Sequence, residues 1–280
     1  MKKIISIFSF LTLNLFALKK KKIWSKIILT TLYLKYLPYI YNILSKRNSE
    51  TTWSWIVLFT IYIKMYLPNN KITKTNILLF VLGLFYADLN SGLVHIYLDN
   101  SKILNNNSLV DRFRQEFQLH HENPVAQFEI DPKYRAHYEM NMVFPYAILP
   151  FFFIKNLSNN LRFFIVSFCI GSVLQQTSHY WCHARIHDKP MPLIGKLMQG
   201  FTLKEIGNIK NNNIRKLLEC SLVLNPIKHQ RHHADPTNNM NFCILNGWAN
   251  PLLNKINYKY KLATSKSFFV KNLDNILNKL

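Results

Sequence analysis

The chain carries ten histidines: His95, His120, His121, His137, His179, His183, His187, His229, His232 and His233. Neutral imidazole is the commonest metal ligand, so spacing decides what these residues can do together. His95 and Asp99 stand four apart and share one face of a helix. His179 and His183 repeat that spacing. His229, His232 and His233 stand at i, i+3 and i+4, again on one face. His120 and His121 are adjacent, so at least one is well placed to join a common centre. Eight imidazoles and a carboxylate exceed the four ligands of a structural zinc site. They suit two metal ions in a shared pocket, with imidazole a good ligand for iron. His137 and His187 fall outside these clusters and read as packing or hydrogen-bonding residues.

Apolar stretches must carry these residues. Four approach the about 20 residues that a bilayer-crossing helix needs: 53–67, interrupted by Lys64; 77–98; 142–154, extendable back to about His137; and 162–181. Only 155–161 separates the last two, which predicts a helical hairpin. Residues 23–46 mix Ile, Leu and Tyr with Lys and read as an interfacial amphipathic helix. If 77–98 runs inward, 99–140 lies in the cytosol with Lys102, Arg112, Arg114, Lys133 and Arg135. The opposite loops carry only Lys71, Lys74 and Lys155, with Arg162 at the edge, as the positive-inside bias expects. All the clustered histidines then arrive at one membrane face. Asp88 lies inside the second apolar stretch, where a carboxylate needs a partner. It can orient a ligand histidine or pack helices with Ser91 and Gly92.

The expected architecture is all-α: an integral membrane protein of about four transmembrane helices with a histidine-rich site at the cytosolic face. Residues 1–22 read as a targeting or anchor segment, 23–52 as the interfacial region, 53–262 as the histidine-bearing domain and 263–280 as a basic, solvated or surface-lying tail. The polar stretch 200–213 reads as a loop insertion. The 280 residues carry a formal net charge of +21. Nucleic-acid binding does not explain this charge, because the basic residues are spread between apolar segments and no nucleic-acid module appears. Lysine-rich loops facing anionic lipid explain it better, and a general compositional bias toward Lys, Asn and Ile explains it better still, so the charge carries no catalytic weight. Cys169, Cys182, Cys220 and Cys243 form no C-x-x-C pair, against a zinc ribbon or a disulfide framework.

Four motifs resemble one family. They are A-D-L-N-S-G-L-V-H-I-Y-L-D (87–99), F-Q-L-H-H-E-N-P (117–124), S-H-Y-W-C-H (178–183) and H-Q-R-H-H-A-D-P (229–236), the last continuing into N-F-C-I-L-N-G-W-A-N (241–250). Over about 82–256 the chain resembles the Kua-type lipid desaturases, which include plasmanylethanolamine desaturase and the plastid phosphatidylglycerol desaturase. The resemblance implies a membrane di-iron enzyme using O2 and two electrons, delivered by a donor such as cytochrome b5 or ferredoxin, on a phospholipid substrate. It implies His95, His120, His121, His179, His183, His229, His232 and His233 as iron ligands, with Asp99 as ligand or near-ligand. Asp88, His137 and Asn250 would stand behind them. Gly247-Trp248-x-Asn250 looks like the ether-lipid branch, and Phe117-Gln118-x-His120-His121 with Asp99-Asn100 like the plastid branch. The family's T-R-H-D-like run after Pro124 is missing, and His137, near Glu139 and Asn141, is the candidate to replace it. The expected location is the endoplasmic reticulum, or a plastid-type membrane for the plastid branch. The rival functions are an acyl desaturase, a lipid hydroxylase and a non-enzymatic membrane metal binder or transporter.

Overall fold

The computed structural model describes residues 72–104, 109–125, 158–207, 209–219, 221–234 and 240–277. The expected spans 53–67 and 142–154, the interfacial segment 23–46, the amino-terminal anchor and His137 lie outside the described residues. Within them every regular element is helical, and no strand occurs.

Helix α1 (Lys74–Asn100) covers the expected apolar stretch 77–98. Its start follows from a Thr-x-x-Asn capping box. The Asn76 N–H donates to Thr73 Oγ1 at 3.2 Å, and the Thr73 N–H donates to Asn76 Oδ1 at 3.0 Å, which satisfies two donors that a helix start otherwise leaves open. Helix α2 (Leu109–Glu122) lies across the far end of α1. There Gln118 Nε2 donates to the carbonyls of Leu98 and Ser101, at 3.0 and 2.9 Å. Helix α3 (Asn159–Ile186) covers the expected stretch 162–181 and runs past it.

Helices α1 and α3 run side by side in the same direction, and their partners keep a constant offset of 84 residues. Asn76 Nδ2 donates to Asn160 Oδ1 at 2.9 Å. A Cβ on Gly83 would come within 2.0 Å of Ser167 Oγ and 2.4 Å of the Phe164 carbonyl, and one on Gly171 within 2.8 Å of the Ala87 Cβ. At the far end the His95 and His179 rings lie 6.3 Å apart. Small residues thus let two backbones approach closely enough to bring two histidines level. The inward stripe of α1 is small or polar: Gly83, Ala87, Asp88 and Ser91 are buried. Its outward face is apolar, with Ile77, Leu78, Val81, Leu82 and Tyr86 exposed. Among the described residues α1 is the one helix long and apolar enough to cross a membrane. Helix α3 has the length, but its second half holds Gln175, Gln176, Thr177, Ser178 and His179.

Short helices follow: α4 (Leu193–Met198), α5 (Leu203–Ile206) and α6 (Asn212–Leu218). The stretch 200–213 is therefore not a plain loop. Thr202 and Glu205 form a capping box, with the Glu205 N–H on Thr202 Oγ1 at 3.2 Å and the Thr202 N–H on Glu205 Oε2 at 2.7 Å. Asn211 Oδ1 caps α6 by accepting from the Asn213 and Ile214 N–H groups. The polar residues that suggest a loop insertion are in part helix caps, which start α5 and α6.

Helix α7 (Pro226–Ala234) follows an N-cap asparagine. Asn225 Oδ1 accepts from Ile227 and Lys228, and Pro226 occupies the first helical position, where no N–H is needed. Helices α8 (Asn250–Tyr260) and α9 (Phe268–Leu277) complete the described chain. The segment after 263 is not a solvated tail. Val270 of α9 is fully buried against Tyr97, Leu98 and Phe117. Asp274 accepts from Arg114 at 2.7 Å and from the Tyr97 hydroxyl at 2.9 Å. Arg114, itself fully buried, also donates to the Tyr97 hydroxyl and to Ser101 Oγ. Phe269 and Leu273 pack beside Val270, an apolar face that the charge pattern of 263–280 hid.

Candidate metal centre

Four helices deliver nine side chains that could hold metal to the shared end of α1 and α3. They divide into two groups whose ligand atoms lie within 4.8 Å of one another: His120, His179, His183, His229 and His233; and His95, Asp99, His121 and His232. Helical geometry explains the division. Residues four apart stay together, as His179 with His183, His229 with His233 and His95 with Asp99. Adjacent residues differ by about 100° around a helix axis and part company. His120 of α2 therefore joins the first group and His121 the second, while His233 and His232 of α7 divide in the same way.

In the first group the Nε2 atoms converge. His120 lies 3.1 Å from His179, which lies 2.9 Å from His229 and 3.2 Å from His183. His229 lies 2.7 Å from His183 and 3.1 Å from His233. A neutral imidazole has one N–H, so so many short nitrogen–nitrogen contacts cannot all be hydrogen bonds. They match the edges of a coordination shell. Nitrogens about 2.1 Å from one ion and at right angles lie about 3.0 Å apart.

In the second group Asp99 Oδ2 lies 3.3 Å from His95 Nε2, 3.2 Å from His121 Nε2 and 3.8 Å from His232 Nε2. All three Nε2 atoms are buried without a hydrogen-bond partner. Two rings are fixed from behind. His95 Nδ1 lies 2.9 Å from the Phe242 carbonyl and His232 Nδ1 2.9 Å from the Met240 carbonyl. A carbonyl only accepts, so both Nδ1 atoms carry the hydrogen and both Nε2 lone pairs face the group, the arrangement that orients metal-binding histidines.

Electrostatics agree with ligation. Burial, with His121 and His232 beside it, holds the His120 imidazole down at about 3. Burial and His121 hold His232 at about 4, against an upward pull from the Met240 carbonyl. His233 is lowered as well, first by burial and then by His120. These imidazoles are neutral at pH 7, the form that binds metal. The donors are nitrogen and oxygen throughout. Cys169, Cys182 and Cys243 are buried elsewhere, which excludes a thiolate site among the described residues. Nine such ligands in two adjoining groups fit a pair of borderline ions such as iron.

Of the remaining candidates, His187 caps the end of α3 and is exposed; its ring stacks 6.2 Å from His183. Asp88 touches no histidine. It accepts the backbone N–H groups of Leu245, Asn246, Gly247 and Ala249, while Ser91 and Gly92 do line the packing beneath that segment. Asn250 Oδ1 accepts from the Cys243 N–H at 2.9 Å. Sequence reasoning missed the Met240 and Phe242 carbonyls, Gln118 and Ser178. Ser178 Oγ donates to the Leu245 carbonyl at 2.5 Å and accepts from the Leu224 N–H at 2.8 Å, tying α3 to two loops. Its position beside His179 was the available signal.

A lipid desaturase domain matches residues 84–203 and 201–265, which is most of the chain and includes all nine of these side chains. The chain belongs to the lipid desaturase family, a family of oxidoreductases. No curated protein and no solved structure matches it at a significant level.

Proposed function

We propose that the chain is a membrane-embedded, O2-dependent di-iron lipid desaturase, with conversion of a plasmanyl phospholipid to its vinyl ether as the leading reaction. The observation that carries this reading is the split of each His-His pair between two adjoining ligand groups. It ties both groups into one catalyst. The reaction balances as –CH2–CH2– + O2 + 2 e⁻ + 2 H⁺ giving –CH=CH– + 2 H2O.

When bound, the irons supply oxygen reduction and hydrogen abstraction from an unactivated methylene, which no side chain can perform. His120, His179, His183, His229 and His233 would hold one ion, and His95, Asp99, His121 and His232 the other. The chain's own work is to fix those ligands and to exclude water. His95 and His232 keep one tautomer through the Phe242 and Met240 carbonyls. Burial of His95, His183 and His229 keeps bulk solvent away from the reacting end.

The membrane setting is supported by the polarity of α1, apolar outside and small or polar inside, and by the exposed Leu193, Ile194 and Leu197 of α4. Electrons would come from a carrier such as cytochrome b5 or ferredoxin, and the basic chain suits an acidic one. The endoplasmic reticulum is the proposed location. Gly247-Trp248-x-Asn250 looks like the ether-lipid branch and Phe117-Gln118-x-His120-His121 with Asp99-Asn100 like the plastid branch, so desaturation of an ester-linked acyl chain stands as the second reading. The test is lipidomics of cells with and without the gene, with His232→Ala as control. Gain of vinyl ethers supports the leading reaction. A new acyl double bond moves the substrate to the acyl class, and a hydroxy lipid moves the reaction to hydroxylation. No lipid change together with no bound iron overturns the enzyme reading.

A further inference from the structure

Residues 240–249 have no helix or strand of their own, yet two of their carbonyls set histidine rings. Side chains of α1 and α8 take up their N–H groups. Asp88 Oδ1 accepts from Leu245, Asn246 and Gly247 at 3.1, 3.0 and 3.1 Å, and Asp88 Oδ2 accepts from Ala249 at 2.9 Å. Ser91 Oγ accepts from Ile244 at 3.1 Å and Asn250 Oδ1 from Cys243 at 2.9 Å. Asp88 is fully buried. Gly247 turns the segment at φ +71, in the left-handed region that suits glycine, and so points its N–H at the carboxylate. Asp88 and His95 are seven residues apart on α1 and share one face. One stripe of α1 therefore carries a metal ligand and, two turns earlier, the clamp on the segment behind that ligand.

The clamp bears on the two ligand groups unequally. Phe242 and Met240, which hold His95 and His232, serve the second group only. In the first group, Nδ1 of His183, His229 and His233 has no hydrogen-bond partner, so none of those three rings leans on the segment. The segment meets α3 where Ser178 Oγ donates to the Leu245 carbonyl, and Ser178 is also held from a second side by the Leu224 N–H at 2.8 Å.

We propose that Asp88 is a positioning residue for the second group: by clamping 245–249 it fixes the Phe242 and Met240 carbonyls and thereby the rings of His95 and His232, and it leaves the first group untouched. The inference rests on the reading that both groups hold metal. Without the four-donor clamp, 240–249 is free to shift, the two carbonyls move, and the His95 and His232 lone pairs lose their common aim.

The test uses the full chain purified in detergent, stripped of metal and titrated with Co(II), whose visible absorption distinguishes an all-nitrogen group from one that includes a carboxylate. Wild type takes up cobalt in both groups. In Asp88→Ala the first group binds as in wild type and the second binds about 10- to 100-fold more weakly, the usual effect of losing a ligand's support. Asp88→Asn falls between, because its carbonyl keeps the three N–H donors of 245–247 while its NH2 opposes the Ala249 N–H. Val270→Ala, which opens the core against Tyr97, Leu98 and Phe117 instead, binds both as wild type. Equal weakening of both groups in the Asp88 variants, or no weakening, overturns the inference. Where Asp88→Ala does not fold by circular dichroism, Asp88→Asn and Ser91→Ala decide, and absence of selective weakening in them overturns it. A wild-type chain that takes up no cobalt overturns the metal reading and this inference with it, a result distinct from unselective loss.

Discussion

His120 and His121 are neighbours in sequence and belong to different ligand groups, and His232 and His233 repeat the relationship on a second helix. Four of the nine ligands are thus shared out by the pitch of two short helices. Substituting either member of a pair should remove one ligand from one group. His120→Ala and His121→Ala are each expected to lower lipid desaturation by at least about 100-fold, with metal lost first from opposite groups. Elemental analysis and cobalt spectra of the two variants check this. Identical metal loss in both would contradict the division.

The neutral histidines make stability depend on pH. His120 and His232 have folded values of about 3 and about 4, below the ordinary 6.5. As pH falls below about 6.5 the unfolded chain takes up protons that the folded one refuses. Their contribution is therefore fully present above about 6.5 and is lost between there and about 4 to 3. The metal-free chain is expected to show a lower denaturant midpoint at pH 5.5 than at pH 7.5. A midpoint that stays constant or rises on acidification would sink the assignment.

Arg114 is fully buried between Asp111, 3.5 Å away, and Asp274. Arg114→Leu leaves the buried Asp111 carboxylate without its cation and removes the tie between α2 and Asp274 of α9. The expected cost is about 3–5 kcal/mol of stability, read from denaturant unfolding in detergent. A cost below about 1 kcal/mol would show that α9 contributes little.

The contact of α1 with α3 leaves no room at Gly83. A methyl group there meets the backbone carbonyl of Phe164, which cannot swing aside as Ser167 can. Gly83→Ala is expected to cost about 1–3 kcal/mol and to lower activity, because the same contact brings His95 level with His179. Thermal unfolding with turnover on membranes checks both. Unchanged stability would place slack in the pair that the geometry denies.

Much of the site was legible in the sequence because helical spacing is a local rule. His95 with Asp99, His179 with His183, and His229 with His233 could each be assigned to one face from their numbers alone, and the apolar runs around 77–98 and 162–181 located the helices carrying them. The division into two groups was not legible. It depends on how α2 and α7 are rotated about their axes, which Gln118 and Asn225 fix by tertiary contact. The 240–249 segment was opaque for a related reason. Its shape comes from Asp88 and Ser91, more than 150 residues away in sequence, and its working atoms are backbone carbonyls that every residue possesses. Helix α9 was hidden because a basic composition masked one buried face.

The most direct test of the central claim is the metal content of the full chain, purified anaerobically in detergent after expression with iron. Two iron ions per chain, falling below two in both His120→Ala and His121→Ala, is the predicted result. A chain that holds a single zinc ion, or no metal, and is unaffected by either substitution would contradict it.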